Sequence, residues 1–135
     1  MKKSVYMSCS LLAASLLAIS TCSAGTSSPY EVAVHCEVVS RQLEQLAYSN
    51  RNASCVENVT LSATYLGAAA KNLWRNNPSQ ALMHLNFASK ELSEMYAAPQ
   101  CAWFAPKIRP YLTSLIQLKV EMEMLDQYQI SKAHK

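Results

Sequence analysis

Four separate stretches of this chain repeat apolar residues at alternating steps of three and four, which places each set on one face of a helix. The first is Val32, Cys36, Val39, Leu43, Leu46, and the second is Val56, Val59, Ala63, Leu66, Ala70, Leu73. The third is Ala81, Leu85, Ala88, Leu92, Met95, and the fourth is Ile108, Tyr111, Leu115, Leu118, Met122, Leu125. None alternates with the period of two that a half-buried strand requires. With only 2 glycines in 135 residues, a turn-rich β fold is disfavoured as well.

Local signals mark where each stripe starts and stops. Ser28-Pro29-Tyr30-Glu31 and Ser54-Cys55-Val56-Glu57 both read as S-x-x-E capping boxes, and Asn77-Pro78-Ser79-Gln80 is a close variant. Pro29 and Pro78 fall at the first helical position, where a missing amide hydrogen costs nothing. Asn76-Asn77-Pro78 ends the second helix and Ala98-Pro99 the third. The expected helices run near 29–49, 55–75, 78–96 and 107–131, with Pro106 and Pro110 setting off a short turn over 100–106. Helices of similar length on short links run antiparallel to their neighbours. The fold class is therefore all-α, an up-down-up-down four-helix bundle. The sequence Leu66-Gly67 followed by Ala81 faintly resembles a tetratricopeptide motif, but no second copy supports a solenoid.

The opening of the chain has another purpose. Lys2 and Lys3 form a positive start, Leu11 to Ile19 an uncharged apolar core, and small residues follow from Ser20 to Gly25. This order is that of a secretory signal peptide over residues 1–24, leaving 25–135 as a single helical domain. The apolar run is too short to span a bilayer of about 30 Å. Two processing routes compete. Cys22 and Ala24 supply the small residues of an ordinary cleavage site, whereas Ile19-Ser20-Thr21-Cys22 is an imperfect lipobox that would anchor a lipid at Cys22. The expected location is periplasmic or extracellular.

Removing the leader leaves ten basic and nine acidic residues, a net charge of +1. That charge gives no support to nucleic-acid binding, which rests on a strong basic footprint. Export also exposes thiols to oxidation. Cys55 opens the second helix and Cys101 lies between the third and fourth, so both belong to one end of the bundle. Cys36 sits on the core stripe of the first helix, towards the other end. A Cys55–Cys101 disulfide with Cys36 reduced and buried is the expected pattern. Three unpaired thiols would belong to a reducing compartment instead. In the chain-entropy model, closing a loop of 46 residues contributes about 4 kcal/mol.

Chemistry is sparse. His35, His84 and His134 stand in no ligand spacing, and no H-E-x-x-H, C-x-x-C or Glu-x-x-His pair occurs. Glu31 and His35, four apart, suit a local ion pair better than a metal site. Met83, His84, Met95, Met122 and Met124 are the basis of an alternative reading, a periplasmic copper or zinc carrier. Against it, Met122 and Met124 are two apart and point about 200° from each other on a helix. No catalytic or cofactor-binding residue is assigned, and no cofactor is expected.

Trp103 and Phe104, beside Cys101, are expected to plug the end of the core. Together with Lys107 and Arg109 they are also the best candidate for a partner-binding patch, because aromatic residues dominate interface hot spots. Gly67 with Ala68 to Ala70 points to close helix approach. Asn52-Ala53-Ser54 and Asn58-Val59-Thr60 are glycosylation sequons that matter only on a eukaryotic secretory route, whereas the Lys-Lys start looks bacterial. In signal, size, helices and cysteines the chain is similar to small helical proteins that Gram-negative bacteria export, including periplasmic immunity proteins and secreted host-interaction factors. That resemblance implies a non-enzymatic protein that binds a protein, envelope or host partner through its surface.

Overall fold

The structure is a computed structural model that describes residues 27–135. The expected signal peptide and Cys22 lie outside the described residues. Four helices follow one another: α1 (Pro29–Ser49), α2 (Val56–Trp74), α3 (Pro78–Ala97) and α4 (Ala105–Ala133), with a single 3-10 turn at Pro99–Cys101 before α4. Among the described residues there is no strand. Consecutive helices pack against one another, α1 on α2, α2 on α3 and α3 on α4, as an up-and-down bundle requires.

The ends of the helices follow from their caps. Ser28 Oγ accepts from the Glu31 amide at 3.2 Å while the Glu31 carboxylate accepts from the Ser28 amide at 2.8 Å, a complete capping box. At α3, Asn77 Oδ1 accepts from the Gln80 amide at 3.2 Å. The expected box on α2 does not form, because Cys55 rather than Ser54 is the cap and makes no side-chain hydrogen bond to the helix. The Ser54 hydroxyl turns instead to Cys55 Sγ at 3.7 Å, where the disulfide fixes the backbone. At its other end α2 closes with Asn76 in the left-handed region, φ 56°. The Asn76 amide donates to Leu73 O and the Asn77 amide to Asn72 O, the paired bonds of a Schellman motif.

The fourth helix starts two residues earlier than its proline pair suggests. Pro106 falls in the first turn, where amides have no partner inside the helix, and Pro110 is accommodated inside α4 with the loss of one amide donor.

The core is the sum of the four stripes. All five residues of the third stripe are buried, as are Val32, Cys36, Val39 and Leu43 from α1 and Val59, Ala63, Leu66, Ala70 and Leu73 from α2. From α4, Ile108, Leu115, Leu118 and Met122 are buried, while Tyr111, Leu125, Leu46 and Val56 pack partly exposed at its edge. Ala69 and Ala70 are buried where α2 meets its neighbours, so the alanine run serves close packing. Two buried hydroxyls bridge helices: Ser40 Oγ donates to Ala63 O at 2.7 Å and Ser62 Oγ to Ala88 O at 3.0 Å. Each is thereby satisfied, as a buried polar group must be.

The four interfaces are not equal. The contact between α1 and α4 is much sparser than the other three, so the bundle is open along one seam. Within the described residues no helix is long and apolar enough to cross a membrane.

Candidate functional site

The loop between α1 and α2 and the turn between α3 and α4 meet at one end of the bundle, where the Cys55–Cys101 disulfide joins them with 5.9 Å between Cα atoms. Phe104, three residues beyond Cys101, is fully buried and plugs the core. Between these two fixed points stands Trp103, 52% exposed, its ring 4.9 Å from that of Phe104. The turn therefore presents one large aromatic face to solvent while its anchors prevent it from folding inward.

Three cations lie at this end of the bundle, each against an aromatic ring or hydroxyl, and Lys107 is the one against Trp103. Lys107 Nζ sits 6.0 Å from the Trp103 ring centre and 5.5 Å from that of Phe104, and donates to Asn50 Oδ1 at 3.1 Å, tying the two loops together. Arg51 lies 5.1 Å over the Tyr48 ring. Arg109 donates from Nη2 to the Tyr96 hydroxyl at 3.0 Å, a hydrogen bond that raises its already high pKa. A cation over a ring face is held by the ring quadrupole without losing its charge.

Charge alone does not single out this end. Residues 48–57 and 96–110 hold Arg51, Lys107 and Arg109 against Glu57, a balance of +2. At the opposite end Lys71, Arg75, Lys132 and Lys135 stand against Glu31 and Asp126, also +2. The difference lies in the aromatics. At the opposite end Tyr30 and Trp74 cover each other edge to face, 4.9 Å apart, and the Trp74 indole donates to Glu37 at 3.0 Å. Trp103 instead packs 4.9 Å from a ring that is itself buried, that of Phe104.

Of the four residues expected to form a patch, the structure brings Trp103 and Lys107 together at the surface. Phe104 is a correction. Its ring is wholly inside the core and no partner can reach it, so of the two roles foreseen it takes only the plug. Arg109 is directed to Tyr96 rather than to Trp103. Sequence reasoning missed Tyr48, Asn50 and Arg51. The one signal for them was Tyr48-x-x-Arg51 at the end of the first helix, on the loop that Cys55 fixes.

No protein-family profile, curated protein or solved structure matches the chain.

The residues of the metal-carrier reading are scattered. Met95 and Met122 are buried in the core, whereas Met83 and Met124 are exposed on α3 and α4. His84 lies between Tyr65 and Phe87, with ring centres 6.4 Å from each. Among the described residues no three His, Cys, Asp or Glu side chains gather as metal ligands. The local Glu31–His35 pair does not form either. Glu31 is engaged in the α1 cap, and His35 Nδ1 faces Glu121 Oε2 at 3.9 Å across the open seam. Cys36 is fully buried and unpaired, and burial, with Glu121 and Glu37 nearby, pushes its thiol up to about 12. Such a thiol is almost never a thiolate at neutral pH, the form in which cysteine is reactive.

Proposed function

We propose that this chain is an exported, non-enzymatic binding protein whose disulfide end receives an acidic surface of a protein partner. The observation that carries this reading is the half-exposed Trp103, fixed between the disulfide and the Phe104 plug with Lys107 against its ring. A rigid aromatic loses little conformational freedom on binding, and aromatic and arginine side chains are the residues most often found at hot spots. Lys107 against the ring, with Arg51 and Arg109 at the same end of the bundle, favours an acidic counterpart and raises the encounter rate at low salt. Size, cysteine usage and the leader-like opening support the exported class; a periplasmic inhibitor or immunity-like role and a secreted host-interaction role share this surface chemistry.

The test is quantitative capture from native envelope extract by immobilised protein, comparing wild type with Trp103→Ala and with Arg51→Ala/Lys107→Ala. The expected result is one or a few acidic proteins retained by wild type, reduced at least tenfold by Trp103→Ala and eluted by moderate salt. Equal recovery by wild type and both variants rejects the proposal.

A further inference from the structure

The cation against Trp103 is Lys107, and its surroundings differ from those of other exposed cations on the helices. Arg41, Lys90 and Lys119 each pair with an acid four residues away in the same helix, at 3.5, 3.6 and 4.0 Å. The positions three and four residues from Lys107 hold Trp103, Phe104, Pro110 and Tyr111, none of them acidic. Among the described residues Lys107 makes no ion pair. It also stands in the first turn of α4, which contains no acid and where the helix dipole disfavours a cation. The chain thus leaves this charge unneutralised at some cost to the helix.

What holds the ammonium is the side chain of Asn50. Asn50 Nδ2 donates to Leu46 O at 2.7 Å, which closes the end of α1 and decides which way the amide faces. Its Oδ1 is thereby turned to Lys107 Nζ, 3.1 Å away. The rings of Phe104 and Trp103, centred 5.5 and 6.0 Å from Nζ, complete the holding site. An amide oxygen and a ring face both hold an ammonium without cancelling its charge, and Asn50 occupies one of its three donors.

We propose that Lys107 is a pre-set receptor for one carboxylate, positioned by Asn50, and that the partner's contacting element is an Asp or Glu beside a large apolar side chain that lies on Trp103. This rests on the binding reading above and narrows it from an acidic surface to one acid beside one apolar residue. Ammonium and ring are 6.0 Å apart, the separation of neighbouring side chains on one face of a partner. A lysine already held in place loses less rotamer freedom on binding than one free in solvent, so the Asn50 contact lowers the cost of capture.

The test has two arms, both on the isolated protein. By NMR, the ε-methylene of Lys107 should lie upfield of a solvated lysine because of the two rings. Asn50→Ala should return it to the solvated position with the helices intact by circular dichroism. An unshifted methylene, or one unmoved by Asn50→Ala, overturns the positioning role. In the second arm, random heptapeptides displayed on phage are selected on immobilised wild type. The enriched sequences should carry Asp or Glu within two residues of a large apolar residue, above its frequency in the unselected library. A synthetic peptide of that consensus should bind Lys107→Gln roughly fivefold more weakly and Asn50→Ala roughly threefold more weakly. Enrichment without an acid, no enrichment, or full-strength binding by Lys107→Gln overturns the receptor. Retention of an envelope protein that depends on Trp103 but not on Lys107 would sink this inference alone, whereas an empty capture with both arms positive would sink only the broader function.

Discussion

At the scale of single residues, Cys36 shows how position decides chemistry. Three of the chain's cysteines lie in the described residues, and two of them meet because each begins or precedes a helix at the same end. Cys36 falls on the core face of α1 and stays a thiol, its pKa raised from 9.0 to about 12 chiefly by burial. The sign of the resulting pH dependence follows directly. Below pH 9 both folded and unfolded chains keep the proton, and this group leaves stability unchanged. Between pH 9 and 12 only the unfolded chain releases it, so stability falls by up to about 1.4 kcal/mol per pH unit. Denaturant melts of wild type and Cys36→Ala from pH 7 to 11 should therefore converge as pH rises. Parallel curves, or modification of Cys36 in the native protein at pH 8, would refute the buried-thiol description. The burial of Cys36 was legible in the stripe; the separation of Trp103 from its neighbour Phe104 was not. Which of two adjacent aromatic rings turns inward depends on the 3-10 turn after Pro99, and spacing alone carries no information on that.

At the scale of elements, the helices were almost fully legible because caps and stripes agreed. The start of α1 at Pro29 and of α3 at Pro78 are where the capping residues put them. The exceptions have local causes, the disulfide at the start of α2 and two tolerated prolines early in α4. The α1–α2 contact carries a specific prediction. Gly67 is inside α2, and a methyl group added there would stand 3.7 Å from Ser40 Oγ, an ordinary van der Waals distance. The helix therefore bears the entropic cost of glycine without a steric need for it. Gly67→Ala should stabilise the protein by about 0.5–1 kcal/mol in a urea melt. A loss of stability would mean that α1 and α2 sit closer than described. Beside its core stripe α4 also carries Ile116, Val120, Met124 and Tyr128 exposed at steps of four, a second apolar row that the longer core stripe masks in the sequence.

At the scale of the whole molecule, the bundle has a closed, stapled end and an open seam. The disulfide ties the α1–α2 loop, which carries Arg51, to the segment that carries Trp103 just ahead of Lys107 in the first turn of α4, so it holds the proposed binding face as well as the fold. Its loop closure is worth about 4 kcal/mol, against roughly 5–16 kcal/mol for a domain of this length. All of this depends on a chain that is exported, oxidised and stapled. The most direct test is a peptide map, under non-reducing conditions, of the protein recovered from the cells that make it. The account predicts a chain without residues 1–24, or beginning at a lipidated Cys22, with a Cys55–Cys101 linked peptide and a Cys36 that is alkylated only after unfolding. A chain that keeps its first 24 residues with three free thiols, or a bridge that includes Cys36, would contradict it.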